Sequence, residues 1–342
     1  MKKLFLGVAV LSMLASCKND AESEVSANNS NIAANASANA TKRLCPSEEI
    51  RQELLKTDAS ALRRYNEIEA LSVKFEKQAS TSRQLGNMAV LPDGTVEIPV
   101  VFNVIYRVAA DNLSDAVLQE QIDILNKDYS ATNSDITKIP SEFVPVAAGD
   151  VKIKFKLVAI NRKQSTKTSW SYTNDAMKKA STGGIDATNP SKNLNLWVVN
   201  SMPASGGEIL GYATFPESAG LWNDGVVLSR KYVGKTGASA PFNLGRTATH
   251  EVGHYLNLRH IWGDGSGCVT DYCDDTPVQP APSSGDPSYP LYGTCGGVKR
   301  SLMFMNYMDY SNDASLYMFS GNQKTRMQAT TSSTGPRAGL RS

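Results

Sequence analysis

The chain has 342 residues, with 35 basic against 33 acidic side chains and a formal charge of +2. That near balance argues against the large basic footprint of a nucleic-acid or polyanion binder. The roughly 250 residues that follow its N-terminal region are enough for one large domain.

The chain opens MKKLFLGVAVLSMLASC. Lys2 and Lys3 form a positive n-region, and Leu4 to Leu14 an apolar run too short to remain as a membrane span. Leu14-Ala15-Ser16-Cys17 matches the bacterial lipoprotein cleavage box. Cys17 is therefore expected to be the lipidated first residue of an exported protein, anchored to the outer membrane by acyl chains alone. The alternative is an ordinary secretory signal with an incidental Cys17. Residues 18–44 are rich in Asn, Ala and Ser and read as a flexible tether.

Residues 45–90 change to a charged sequence of helical period. Pro46 and Ser47 can open a helix with Glu48 and Glu49 in its first turn. Ile50, Leu54, Leu55, Leu62, Tyr65, Ile68 and Leu71 predict one buried stripe. Cys45 stands at the head of this segment, and a thiolate is a good zinc ligand.

A domain over 91–342 begins with TVEIPVVFNVIYRV, which predicts a largely buried strand. Ser114 to Asn133 predicts an amphipathic helix capped by Ser114 and closing around Asn126. Val151 to Ile160 alternates as a half-buried strand, and Leu194 to Asn200 is apolar throughout, as a central strand would be. ILGYATFP and Gly225 to Val233 add two more. Strands before GRTATHEVGHYLNL and mostly loops after it predict an α/β upper half, with a mixed, mostly parallel sheet, over an irregular lower half.

All three histidines of the chain lie in HEVGHYLNLRH, from His250 to His260. On a helix, His250 and His254 share one face and can reach one ion. Glu251 sits at the edge of that face, placed to act as a base. A sharp turn is then needed to return His260 as a third ligand, and three protein ligands are the mark of a catalytic rather than a structural zinc. HExxH alone occurs by chance in helices; the third histidine at the spacing of the longer HExxHxxGxxH pattern does not invite that reading. Asn257 stands where the pattern has Gly, and Asn is the residue after Gly that best tolerates the left-handed region.

These residues resemble the metzincin zinc endopeptidases. FMNYMDYSNDA (Phe304 to Ala314) looks like the clan's methionine turn, with Met308 as its methionine and Tyr310 two residues on. IPVVFNVIY, LGYATFP, HIWGD, DDTP and MFSGNQKTRMQAT extend the likeness to the pappalysin family, especially its short bacterial members of the ulilysin type. The resemblance runs from about residue 93 to the C-terminus and implies a closing C-terminal helix and an edge strand that pairs with extended substrate. It implies a disulfide between Cys268 and Cys295, leaving Cys273 over. Asp286 and Ser315 stand where the family's second loop disulfide would be.

The implied activity is hydrolysis of internal peptide bonds, by a monomer acting on protein or peptide substrates. Zinc would be held by His250, His254 and His260, with Glu251 as general base and Tyr310 stabilising the oxyanion. Residues 45–90 would be a propeptide kept silent by Cys45 as a cysteine switch; an intrachain disulfide or an idle thiol is the other reading of Cys45. Release would need cleavage between about Ser80 and Leu91, where Arg83 is the basic site. Asp313 is the candidate floor of an S1′ pocket for Lys or Arg. Asp271, Asp275 and Thr276 offer oxygen ligands for calcium. Two other functions stay open: a peptide-binding lipoprotein with a degenerate site, for which Asn257 is the only support, and a zinc hydrolase of non-peptide amides or esters.

Overall fold

The computed structural model describes residues 1, 40–84, 94–265 and 267–341, without the side chains of 80 and 82–84. Cys17, most of the expected tether and the expected release stretch after Gln84 lie outside them. From residue 40 onward the chain is one compact unit.

Five strands form the sheet: β1 (Val96–Tyr106), β2 (Ile153–Gln164), β3 (Leu194–Val199), β4 (Gly211–Ala213) and β5 (Val226–Ser229), in the order β2-β1-β3-β5-β4. All neighbours are parallel except β4, which runs antiparallel to β5 at the edge. Every residue of β3 is buried, as a strand covered on both faces must be. One face packs Phe102, Leu196, Val198 and Leu228 against α3 (Asp115–Tyr129) and α4 (Arg246–Tyr255). The other packs Trp197, Val199, Tyr212 and Met202 with the partly buried Leu44 and Ile50. Each fully buried large apolar side chain contributes about 1.5–3 kcal/mol, so this sheet is the rigid base on which α4 rests.

Ser114 caps α3, its side chain accepting from the Val117 amide. The helix does not close around Asn126 but continues to Tyr129. The Asn126 side chain is occupied elsewhere, donating to the Phe155 carbonyl and accepting from its amide on β2. It ties helix to strand instead of ending the helix.

The N-terminal segment differs more from expectation. Packed structure already begins at Ala40, whose amide donates to the Tyr232 hydroxyl, so the tether ends before residue 44. Two helices follow, α1 (Ser47–Thr57) and α2 (Ala59–Gln84), broken at Asp58, which is extended and accepts from the Ser60 and Ala61 amides. The single apolar stripe is formed only in part: Ile68 is buried, and Ile50, Leu54, Leu55, Tyr65 and Leu71 are half-buried. Leu62 is exposed, and Ser47, Glu48, Arg51, Ala61, Ile68, Ser72 and Ala79 are the buried positions. Polar groups on both sides explain this. On α5 (Gly321–Thr331), Arg326 donates to both Glu69 oxygens at 2.8 and 2.9 Å and to Glu76 at 3.3 Å. Arg259 donates to the Tyr65 hydroxyl at 2.8 Å.

After α4 the chain is loops, 3-10 turns and the hairpin Tyr292–Cys295/Val298–Ser301 before α5. Cys268 and Cys295 form a disulfide, and Cys45 and Cys273 are free thiols. Ser315 Oγ donates to Asp286 Oδ1 at 2.9 Å, so these two residues meet as a hydrogen-bonded pair.

Candidate metalloprotease site

All ten residues of α4 are buried. Gly245, with φ of 77°, starts it, and Gln121 of α3 holds the Gly245 carbonyl. Four residues apart on one face, His250 and His254 bring their Nε2 atoms to 3.2 Å. Asn257 then takes φ of 76°, the left-handed conformation that the turn requires. The only sequence feature favouring a degenerate site is thus compatible with the turn. The turn returns His260, whose Nε2 lies 3.2 Å from that of His250 and 3.1 Å from that of His254.

Each ring is fixed from behind. The Nδ1 atoms of His250 and His254 face the carbonyls of Tyr307 (2.7 Å) and Leu258 (2.8 Å). Nδ1 of His260 faces the Asp264 carboxylate, and Trp262 stacks on the His260 ring at 4.3 Å. With Nδ1 as donor, each Nε2 turns a lone pair to the common centre. Burial, then the neighbouring histidines, holds the pKa of His250 and His254 well below the ordinary value, which keeps those lone pairs free. Nitrogens each 2.0–2.1 Å from one zinc adopt about this mutual spacing. The residues present fit that ion.

Cys45 completes the group: its Sγ and the three histidine nitrogens all lie within 4.8 Å of one another. Burial, then the Glu251 charge, pushes the thiol's pKa well up. As a neutral thiol it donates to Glu251 Oε2 at 3.2 Å, and a cation among the histidines would favour the thiolate. Burial raises the pKa of Glu251 to about 7.

The methionine turn lies where the helix needs it. Gly253 has no Cβ, and one added there would meet Met308 Sδ at 2.4 Å, so the buried Met308 packs directly under α4. The Met308 carbonyl accepts from the Ile261 amide, anchoring the returning strand of His260. The Tyr310 ring sits 4.9 Å from that of His260, and its hydroxyl donates to the Cys45 carbonyl at 3.0 Å.

Four contributors were not read from the sequence. Ser47, expected only to open a helix, has no capping bond; its hydroxyl donates to Glu251 Oε2 at 3.1 Å and accepts from the Ala213 amide of β4 at 2.8 Å. Arg43 is buried, donating to Asp313 Oδ1 at 2.8 Å and lying 5.0 Å from the Phe242 ring centroid. Arg51 pairs with Glu217, and Asp264 orients His260. Only Asp264 carried a signal, four residues beyond a ligand histidine. The Asp313 carboxylate also accepts from the Leu244 and Arg246 amides. Asp271 accepts from Thr276 Oγ1 and the Cys273 amide, and its other oxygen is buried and unpartnered. Asp275 instead serves α5, accepting from Ser320 Oγ and the Asn322 amide.

Known proteins share this arrangement. The family profile for peptidase M43, described as pregnancy-associated plasma protein-A, matches residues 179–332. An extracellular metalloprotease of Arthroderma benhamiae is 35% identical over 247 residues, 68% of this chain and 71% of that protein. Mature mirolysin of Tannerella forsythia, solved with a cleaved peptide, is 39% identical with a TM-score of 0.69, covering 73% of this chain and 97% of that one. A promirolysin mutant from the same organism is 35% identical with a TM-score of 0.76, covering 87% of this chain and 97% of that one. With a sheet, helix and histidine cluster of this form, the chain belongs to the pappalysin (M43) family of metzincin metalloendopeptidases.

Proposed function

We propose that this chain is an exported zinc endopeptidase made as a latent zymogen, in which residues from Ala40 to about 84 act as the propeptide. The observation that carries the reading is the convergence of three Nε2 atoms with Glu251 beside them and Cys45 Sγ facing them. The likeness to promirolysin also spans more of the chain than that to mature mirolysin.

His250, His254 and His260 would hold the zinc, which when bound polarises the scissile carbonyl and activates the attacking water. Glu251 takes the water's proton and passes it to the leaving amine. Tyr310 donates to the developing oxyanion, a role consistent with its present hydrogen bond to the Cys45 carbonyl. The edge strand β4 offers its backbone to an extended peptide, and the Leu210 amide just before it donates to the Leu44 carbonyl.

In the latent form Cys45 faces the histidines and shares Glu251 with Ser47. Arg43 in the Asp313 pocket supports a preference for Arg or Lys in P1′, since its guanidinium and the carboxylate are both fully buried. Lipidation at Cys17 would tether the zymogen to the outer membrane, and cleavage between Ser80 and Leu91 would release the enzyme. Asp271 and Thr276 are the better-placed candidates for calcium, because an Asp271 oxygen is unpartnered.

The test is digestion of denatured casein or a peptide library by the processed protein beside a Glu251→Ala control. Chelator-sensitive cleavage that is lost in the control, with Arg or Lys starting the new fragments, is expected. Cleavage before other residues would discard the Asp313 assignment, and no cleavage would discard the endopeptidase.

A further inference from the structure

Arg43 is not the only arginine that the N-terminal segment buries in the body of the protein. Arg51, one helical turn beyond Ser47, has a side chain only 1% exposed, and its partner Glu217 is at 0%. Arg51 Nε donates to Glu217 Oε1 at 3.0 Å, and its guanidinium carbon lies 4.3 Å from the centroid of the Phe215 ring. Phe215 in turn packs on the His254 ring at 5.2 Å. The other Glu217 oxygen is buried and accepts no hydrogen bond. Two further cations lie nearby. Arg64 belongs to the same departing segment and donates to the Glu217 carbonyl, and Arg337 is committed to Asp224 at 2.6 and 2.9 Å. Once the segment leaves, Glu217 keeps a carboxylate beside an aromatic face with no side-chain donor of its own among the described contacts.

The path of the chain gives this pocket a position. Leu44 meets Leu210 and Ser47 meets Ala213, so the segment runs along the rim in the direction of β4. Arg43 reaches Asp313 before Cys45 passes the histidines, and Arg51 reaches Phe215 and Glu217 after it. The two arginines bracket the histidine cluster. If Asp313 receives the residue after the scissile bond, Glu217 receives one before it. Four residues of α-helix rise about 6 Å, which an extended peptide covers in about two residues.

We propose that Glu217 and Phe215 form a second cation subsite, which binds Arg or Lys two or three residues before the scissile bond. The inference rests on the zymogen reading and on the Asp313 pocket. The enzyme's preferred substrates are then peptides with basic residues on both sides of the cut, and the propeptide occupies both subsites in advance.

The test uses enzyme processed from the full chain. Quenched peptides keep Arg after the bond and carry Arg, Gln or Leu at each of the four preceding positions. A charge-assisted hydrogen bond in a desolvated pocket predicts about a tenfold higher kcat/KM for Arg at the second or third position. Glu217→Gln should erase that ratio while leaving the preference after the bond intact. A flat profile in the wild type, or a preference that survives Glu217→Gln, overturns the subsite but spares the endopeptidase. Binding of a synthetic 40–57 peptide reads the same contact without turnover. Arg51→Gln in that peptide should weaken binding about tenfold to the wild type and clearly less to Glu217→Gln, where only the contact with the Phe215 ring is left to lose; equal loss in both proteins would also overturn it.

Discussion

Two buried regions of this molecule are built from opposite materials. The sheet and the helices on its first face meet through Phe102, Leu196, Leu228, Val252 and their neighbours. The N-terminal segment meets the body largely through charge: Arg43 with Asp313, Arg51 with Glu217, and Arg326 with Glu69 and Glu76. An apolar core is strong wherever its volume is filled. A buried ion pair contributes little net stability but fixes one partner in one register, and it is costly to leave half-made. The first suits a scaffold. The second suits a segment that must fit one way and later leave.

The largest effect should come from neither region but from the group between them. Glu251→Ala should lower the kcat of the processed enzyme by about 10²–10⁴-fold, the range for loss of a general base. The unfolding midpoint of the processed enzyme should hardly move, because the Cys45 and Ser47 donors to Glu251 leave with the N-terminal segment. Next is the core. Trp197→Ala, at a fully buried position on β3, should cost about 3–5 kcal/mol in zymogen and processed enzyme alike, read by denaturant unfolding of both. A loss confined to one form would break the comparison.

A smaller effect tests the charged interface. Glu69→Gln takes the bidentate carboxylate from Arg326, whose side chain is 1% exposed. Because Glu76 stays in reach, the zymogen should lose about 2–3 kcal/mol, at or just below the bottom of the range of about 3–5 kcal/mol for an orphaned buried charge. Activation of the zymogen by cleavage between Ser80 and Leu91 should also quicken. Unchanged stability and an unchanged activation rate would mean that the ion pairs do not hold the segment.

The sequence carried the scaffold and the metal cluster because both obey local rules. The i,i+4 histidines need only a helix, Asn257 only a left-handed turn, and β3 only an unbroken apolar run. The interface obeys no local rule. Arg43 finds Asp313 across 270 residues, and Ser47 finds Glu251 across 204. Before folding, Arg51 and Glu217 look like ordinary surface charges, and Leu62 looks like core. The helical period therefore pointed to the apolar residues of α1 and α2, whereas the polar Ser47, Glu48, Arg51 and Ser72 are buried more deeply than most of them. Asn126 misled for the same reason, as its partner Phe155 lies on another element.

The most direct test of latency is zinc-edge X-ray absorption of the zinc-loaded full chain, before and after processing. The account predicts three nitrogen scatterers at about 2.0–2.1 Å and one sulfur at about 2.3 Å in the zymogen. The sulfur should vanish in Cys45→Ala and in the processed enzyme. A zymogen with no sulfur in the first coordination shell would contradict the account, and so would a sulfur that persists without Cys45.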